Sequence, residues 1–151
     1  MKYLIKNMKN KEKIKVSPYY NILEALKLMD KLSCKLLIVM NGNKFMSVLS
    51  IGDIQRAIIN KVPLDTKIEK ILRKDISISS NNDSITTIKD RIFDLRSECM
   101  PVVDKEDNLV KLYFWEDFFP NSNKDEKKKV DLPVVITSTP QLKKSRHISF
   151  V

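Results

Sequence analysis

Hydrophobic residues recur at helical spacing in two separate stretches of the chain. Residues three and four apart lie on one face of an α-helix, so each stretch predicts an amphipathic helix with a single apolar face. The second set follows the first at a constant displacement of 63 residues. The first set is Ile22, Ala25, Met29 and Leu32, and the second is Ile85, Ile88, Ile92 and Leu95.

Each predicted helix is followed by an apolar strand, a polar turn and a second strand. Residues 37–39 correspond to 101–103, and residues 48–54 correspond to 112–118, now at a displacement of 64. One inserted residue between helix and strand explains the change from 63 to 64. The equivalent segments end on Asp53 and Asp117. The pattern therefore predicts an internal duplication.

Polar residues and prolines mark the ends of these elements. Asn21 with Glu24 three residues later is typical of a capping box, and residues 80–84 offer a similar start for the second helix. After Asp53 the pattern predicts a helix from Ile54, which Pro63 closes. A short helix over residues 68–72 would link the halves, and Pro120 would end the last helix almost at once.

The small size of each half indicates how the halves pack. A few short strands with one apolar face are too little to be stable alone in water. We therefore expect an α/β (α+β) fold of two repeated units. Each unit would be a small sheet with flanking helices, and the two would pack as a pseudo-two-fold pair around one core.

The net charge of +9 lies at the chain ends. Residues 1–15 carry six lysines and one glutamate, and residues 124–151 carry seven basic and three acidic residues, whereas residues 16–123 are balanced. Solvated basic ends explain this distribution, and nucleic-acid binding through those ends is the alternative.

Targeting signals and metal-ligand patterns are not evident in the sequence. No apolar run approaches the roughly 20 residues of a membrane helix, and the lysine-rich N-terminus does not resemble a signal peptide. Cys34 and Cys99 lack metal-ligand spacing, and they are expected to be small buried residues. We expect a cytoplasmic protein without a metal site.

The repeated unit helix–strand–turn–strand–(T/S)-x-x-D–helix resembles a tandem CBS domain pair, or Bateman module. L-S-I-G-D-I-Q-R-A-I, from Leu49 to Ile58, is similar to L-T-D-G-D-I-R-R-A-I in CBS pairs fused to sugar-phosphate nucleotidyltransferases. M-P-V-V-D and Y-F-W-E-D-F-F are similar to the second unit of that subgroup. The resemblance implies a basic N-terminal segment 1–12, CBS unit 1 at 13–62, CBS unit 2 at 63–120 and a basic linker and tail at 121–151.

The tail adds a second resemblance. D-L-P-V-V-I at residues 131–136 looks like the first strand of a nucleotidyltransferase domain, but no glycine follows it. Such domains bind triphosphates with glycine-rich loops, because side chains block the close approach of backbone amides to phosphate. We therefore expect that the catalytic domain is absent and that the chain is not an enzyme. We identify no catalytic residues.

The segment Ser50 to Asp53 suits the recognition of a nucleotide. An aspartate can accept hydrogen bonds from the 2′ and 3′ hydroxyls of a ribose, and Gly52 lets a ligand approach without meeting a β-carbon. Ser50 could contact ribose or phosphate, and Arg56 is a candidate phosphate partner, with a solvated surface arginine as the alternative. For Asp53 the alternative is a plain helix cap.

The resemblance implies two clefts between the units. In the main one Ser50, Gly52, Asp53 and Arg56 would face Ile78, Met100 and Val102. In the second, Asp117 would face Val16, Leu37 and Val39. Phe114 and Glu116 stand where the motif has a hydroxyl and a small residue, so the second site is expected to be weaker or empty.

The expected function is a regulatory, non-catalytic module that binds AMP, ADP or ATP and requires no cofactor. The resemblance also implies a homodimer and, in full-length relatives, a nucleotidyltransferase partner. The alternative is a CBS dimerisation module that binds no ligand. Trp115, Phe118 and Phe119 could stack on a base, but three aromatics at a short helix are more typical of a core or a dimer interface.

Overall fold

The computed structural model describes residues 8–120, with side chains from Lys11 onward. The expectations for residues 1–7 and for the basic tail 121–151, including the strand-like segment 131–136, lie outside the described residues.

The first repeat contains a three-stranded sheet. Strand β1 pairs parallel with β2, and β2 pairs antiparallel with β3, so the sheet order is β1-β2-β3. Its elements in chain order are helix α1 (Met8–Lys13), β1 (Lys15–Val16), helix α2 (Ile22–Leu32), β2 (Leu36–Asn41), β3 (Lys44–Ser50) and helix α3 (Ile51–Ile59).

The second repeat has the same topology after a short 3-10 helix at Ile68–Ile71. Strand β4 pairs parallel with β5, and β5 pairs antiparallel with β6. The elements are β4 (Ser79–Ser80), helix α4 (Ile85–Leu95), β5 (Cys99–Val103), β6 (Leu109–Phe114) and helix α5 (Trp115–Phe118). The predicted duplication and the mixed α/β fold class are confirmed.

Local capping explains where the two long helices start and stop. The Asn21 side chain accepts from the Glu24 amide at 2.8 Å, and Glu24 Oε2 accepts from the Asn21 amide at 2.8 Å, which confirms the capping box. Ser84 caps α4 by accepting from the Thr87 amide at 3.1 Å. Both helices end on a residue in the left-handed region, Ser33 and Arg96, each with φ 49°.

Helix α3 begins at Ile51, so the expected start at Ile54 is wrong. Ser50 is the N-cap, because its Oγ accepts from the Asp53 amide at 3.2 Å while Asp53 Oδ2 accepts from the Ser50 amide at 2.8 Å. This reciprocal pair is a capping box with aspartate at the third helical position. Gly52 and Asp53 therefore lie in the first turn of α3 and not before it.

The two repeats share a hydrophobic core. The main buried cluster combines the apolar face of α2 and the first sheet with Cys99, Leu112 and Phe114 of the second repeat. A smaller cluster holds Ile88, Ile92, Met100, Val102 and Trp115. None of the helices within residues 8–120 has the length and apolar character of a membrane span.

Strand parity decides which residues of β5 face the first repeat. Cys99 pairs with Phe114, and Pro101 pairs with Leu112, and paired residues point to the same side of a sheet. Because Cys99, Leu112 and Phe114 belong to the shared cluster, this is the inner side. Successive residues alternate sides, so Met100 points toward the smaller cluster around α4.

The buried apolar face of α4 is shorter than predicted. Ile88 and Ile92 are buried, whereas Ile85 and Leu95 are exposed at the two ends of the helix. In α2 the equivalent residues Ile22, Ala25 and Met29 are buried, and Leu32 is half-buried. The second repeat therefore covers only the middle of its helix.

Candidate functional site

A cleft of about 520 Å³ lies where the first repeat, the inter-repeat linker and the second repeat meet. The first repeat contributes the start of β2 and the junction of β3 with α3, and the second contributes the loop from α4 into β5. The lining residues are Lys35, Leu36, Val48, Ser50, Ile51, Gly52, Arg73, Asp75, Ile76, Ser77, Leu95, Arg96, Ser97, Glu98 and Cys99.

Gly52 lies on the wall of this cleft in the first turn of α3. A β-carbon built on Gly52 would meet Ser50 Oγ at 3.7 Å and Arg56 Nη1 at 3.8 Å, which are ordinary van der Waals separations. The fold itself therefore does not require glycine here. What the missing β-carbon provides is room at the cleft surface.

Asp53 is buried beside the cleft with its side chain only 2% exposed. Its Oδ2 accepts from the Ser50 amide at 2.8 Å and from Ser50 Oγ at 2.6 Å. Its Oδ1 forms ion pairs with Arg56 Nη2 and with Arg73 Nε, the latter at 3.0 Å. The carboxylate thus caps the helix and also balances two guanidinium groups.

The two arginines reach Asp53 from different elements. Arg56 is one turn further along α3, and its side chain is 61% exposed. Arg73 belongs to the linker after the 3-10 helix, and its side chain is 45% exposed. The carbonyl of Arg73 accepts from Ser47 Oγ at 3.1 Å, and Ser47 is fully buried, so the backbone of the linker is anchored to β3.

The charges around the cleft are mixed. The lining holds three basic side chains, Lys35, Arg73 and Arg96, and two acidic ones, Asp75 and Glu98. Together with the hydroxyls of Ser50, Ser77 and Ser97, this surface suits a polar, negatively charged ligand with an apolar part against Leu36, Val48 and Ile76.

The sequence-predicted residues of the main site are only partly brought together. Ser50 and Gly52 line the cleft, and Asp53 and Arg56 adjoin it through their contacts. Met100 and Val102 lie instead in the smaller core cluster of the second repeat. Ile78 is exposed just before β4.

Sequence reasoning missed the linker residues of the cleft. Arg73, Ile76 and Ser77 follow no periodic pattern, and Arg73 is 20 positions from Asp53. The repeat did contain one signal: Lys35 and Cys99 are equivalent at the displacement of 64, and both line the cleft. The correspondence does not separate Cys99 from Met100, because Leu36, the equivalent of Met100, also lines the cleft.

At the second predicted position, Asp117 is bonded within the chain. Its Oδ2 accepts from the Phe114 amide at 2.8 Å and from Lys11 Nζ of α1 at 3.0 Å. The same ammonium donates to the Leu112 carbonyl at 2.9 Å and lies 5.2 Å from the centre of the Phe114 ring. The three residues expected to face Asp117 are buried in the main core: Val16, Leu37 and Val39.

The aromatic residues around α5 pack on one another. Trp115 is buried, and its ring centre lies 4.5 Å from that of Phe119 and 6.3 Å from that of Phe93. Phe118 contacts Tyr113 at 5.3 Å between ring centres. This arrangement is a hydrophobic cluster of the second repeat.

Two titratable groups outside the cleft have displaced pKa values. Burial raises the pKa of the Cys34 thiol, so the neutral form is favoured. The pKa of the Asp104 carboxyl lies below its usual value, chiefly because the side chain and amide of Asn108 donate hydrogen bonds to it.

Comparison with known families gives one match. Residues 5–60, which contain the first repeat, match the CBS domain family. A search of curated protein sequences finds no match.

Solved structures match over both repeats. Staphylococcus aureus OpuCA matches with a TM-score of 0.59 at 17% identity, over 70% of this chain and 88% of that chain. A CBS domain protein from Pyrobaculum aerophilum complexed with AMP matches with a TM-score of 0.56 at 21% identity, over 68% and 80%. CBSX2 in complex with AMP matches with a TM-score of 0.58 at 16% identity, over 70% and 83%. The chain therefore has the fold of a CBS pair.

Proposed function

We propose that the described part of the chain is a regulatory, non-catalytic module that binds an adenine nucleotide in the cleft. The observation that carries the proposal is that Ser50 and Gly52 line a 520 Å³ cleft in a CBS-pair fold, with Asp53 bonded directly to Ser50. Small-molecule sites typically have volumes of roughly 300–1,000 Å³.

The cleft offers a separate partner for each part of a nucleotide. Asp53 Oδ1 would accept from the ribose hydroxyls in place of an arginine, because Oδ2 is engaged by the helix cap. The Gly52 amide in the first turn of α3 and the Arg56 guanidinium would receive a phosphate, since the Ile51 and Asp53 amides already donate to Lys35 and Ser50. The base would lie against apolar side chains of Leu36, Val48 and Ile76.

The placement of side chains changes the proposed base contacts. Ile76 and Cys99 line the cleft, and they are close in sequence to the expected Ile78 and Met100. We therefore propose Ile76 and Cys99 as contacts in place of Ile78, Met100 and Val102.

The two AMP complexes among the structural neighbours support an adenine ligand. AMP, ADP and ATP share the adenine and ribose that the cleft would contact, so all three are candidates. Which of them binds best depends on how many phosphates the basic residues accept.

At the second position we propose weaker nucleotide binding. Asp117 is already paired with Lys11, and Phe114 presents a buried ring where the motif has a hydroxyl. A ligand there would have to displace the Lys11 ammonium.

The wider setting is proposed from the motif resemblance alone. The similarity of residues 49–58 to CBS pairs fused to sugar-phosphate nucleotidyltransferases suggests such an enzyme as the regulated partner. It also suggests that the module acts as a cytoplasmic homodimer.

A dimerisation module that binds no ligand is the second candidate function. The observation that favours it is the fully bonded Asp53 carboxylate, since a helix cap balanced by two arginines is a complete structural role. Ligand titration separates the two functions.

Calorimetric titration of the full chain with AMP, ADP, ATP and CMP tests the proposal. We expect at least one adenine nucleotide to bind and CMP to bind at least tenfold more weakly. Asp53→Asn keeps the shape of the cap but weakens the ribose contact, so affinity should fall roughly 10- to 100-fold, as for loss of a charged hydrogen bond.

The matched control is Asp83→Asn. Asp83 also pairs with an arginine, Arg91, at 2.6 Å, but it lies outside the cleft. Its substitution should leave the affinity unchanged. Undetectable binding of all three adenine nucleotides to the folded wild-type chain would instead favour the dimerisation module.

A further inference from the structure

Asp53 carries two contacts more than a helix cap needs. A capping box is complete once Ser50 and the third helical residue have exchanged their hydrogen bonds, which here occupy Oδ2. The remaining oxygen, Oδ1, is shared by the guanidinium groups of Arg56 and Arg73.

A ribose and these arginines compete for the same oxygen. The Ser50 amide is fixed in the backbone at the end of β3, so a ligand cannot readily displace the contacts on Oδ2. The arginine side chains are long and roughly half exposed, so they can leave Oδ1 and move into solvent or onto a ligand.

Of the two arginines, Arg73 is the one that lines the cleft. Its backbone is held by the hydrogen bond from Ser47 Oγ, while its side chain is the part that reaches Asp53. A guanidinium released from Oδ1 would therefore stay next to a bound ligand.

We propose that Arg73 is a specificity-determining residue that makes tight binding require a ligand with both a vicinal diol and a phosphate. This inference rests on the proposed function of the cleft. A nucleotide supplies a diol for Asp53 and a phosphate for Arg73, so every charged group keeps a partner. A nucleoside displaces Arg73 from Asp53 and offers it no negative group in return, so the ion pair is lost without a phosphate contact to offset it.

The proposal predicts opposite effects of one substitution on two ligands. In Arg73→Gln, AMP should bind roughly tenfold or more weakly, because the phosphate loses a charged donor. Adenosine should bind the variant several-fold more tightly than the wild type, because Asp53 Oδ1 has lost a competitor. Both affinities are measured by calorimetry, with adenosine read by displacement of AMP where its own signal is small.

Two further variants serve as controls for this experiment. Arg73→Lys keeps the charge and should give intermediate values, which also serves if the glutamine variant is unstable. Arg91→Gln removes an arginine that is paired with Asp83 outside the cleft, so it should change neither affinity.

The outcomes separate this inference from the proposed function. If wild type binds AMP but adenosine binds Arg73→Gln no more tightly than wild type, the role of Arg73 is overturned and the nucleotide site stands. If the folded wild type binds no adenine nucleotide, the proposed function and the role of Arg73 are both overturned. A fall in AMP affinity with a gain for adenosine supports the inference.

Discussion

Gly52 affects stability and ligand binding in opposite ways, because it has no β-carbon. Glycine inside a helix is less stable than alanine, and the space for a β-carbon here holds no closer neighbour than 3.7 Å. Glycine at this position leaves open space at the surface of the cleft.

Gly52→Ala should therefore stabilise the fold and weaken the ligand. We expect the free energy of unfolding to rise by no more than about 0.5–1 kcal/mol, the gain for alanine in the middle of a helix, because Gly52 lies in the first turn. The affinity for AMP should fall by about tenfold, because a methyl group enters the cleft. Urea unfolding and calorimetric titration of the same preparations measure the two effects.

Gly42 provides the matched control. It has φ +60° in the turn between β2 and β3, with nothing within 4 Å of its would-be β-carbon. Gly42→Ala should cost about 1 kcal/mol of stability through backbone strain and leave AMP affinity unchanged. If Gly52→Ala binds AMP as well as wild type does, the ligand does not contact this wall of the cleft.

Asp104 should make the stability of the fold depend on pH in the acid range. Its Oδ1 accepts from the amides of Glu106 and Asn108 at 2.8 and 2.9 Å, and its Oδ2 accepts from Asn108 Nδ2 at 2.9 Å. These bonds hold the pKa of the Asp104 carboxyl below its usual value. A depressed pKa in the folded state stabilises the fold above the unfolded pKa, and the contribution is lost as pH falls through the folded pKa.

Asp104→Ala should therefore lower the Tm at pH 6, and the difference from wild type should narrow once the pH falls below about 4. Thermal unfolding followed by circular dichroism between about pH 2 and pH 6 measures this. Asn108→Ala should raise the Asp104 pKa toward its usual value in an NMR titration. A Tm difference that is constant over this range would contradict the account.

At the residue scale, the sequence predicts those residues of the site that lie close together along the chain. The sequence singles out Ser50, Gly52 and Asp53, because the end of a strand, a helix cap and a carboxylate occur within four positions. Arg73 does not, because its contact with Asp53 depends on how the linker folds back onto β3. Long-range contacts of an aperiodic segment leave no local signal.

At the element scale, the sequence does not show which side of a fully buried strand each residue faces. All five residues of β5 are buried, so alternation does not reveal which of them face the first repeat. The pairing of Cys99 with Phe114 settles it, and that pairing is a tertiary fact. Helix starts are better predicted where an independent cap exists, as at Asn21, than at Ser50, where the cap is also the last strand residue.

The Lys11 side chain bonds helix α1 to the second repeat. Lys11 Nζ bonds both Asp117 and the Leu112 carbonyl, and both charged groups are partly exposed. Lys11→Met keeps the aliphatic part and removes these bonds, so the free energy of unfolding should fall by roughly 0.5–1 kcal/mol. Urea unfolding at low and high salt measures the loss.

Lys13→Met is the control for Lys11, because Lys13 lies in the same helix and its side chain is exposed. We expect it to change stability by less than half as much. Equal effects of the two substitutions would show that the Lys11 contact is not what joins α1 to the second repeat.

At the scale of the whole molecule, the duplication explains both the core and the cleft. Each repeat contributes three strands, and the inner side of the second sheet completes the core of the first. The hairpin turns also meet, through the bridge between Lys44 and Asn108. The cleft is lined by residues of both repeats and of the linker, so neither repeat would form it alone.

The sequence predicted the duplication and the helix–strand–turn–strand order of each half from apolar periodicity, and the shared core from the small size of each half. It did not predict the first strand of each sheet, β1 and β4, or its parallel pairing. It did not predict that the linker supplies a wall of the cleft, since residues 73–77 carry mixed charge and no period. The Ser47 hydrogen bond and the Asp53 ion pair join Arg73 of the linker to β3 and α3, and Ile76 packs against the main core.

The central claim is that an adenine nucleotide occupies this cleft, and an NMR titration of the ¹⁵N-labelled chain with AMP tests it most directly. The account predicts that the largest amide shifts fall on Ser50, Gly52 and residues 73–77. Shifts that are absent at saturating AMP, or that cluster on the hairpin turns at 41–43 and 104–108, would contradict it.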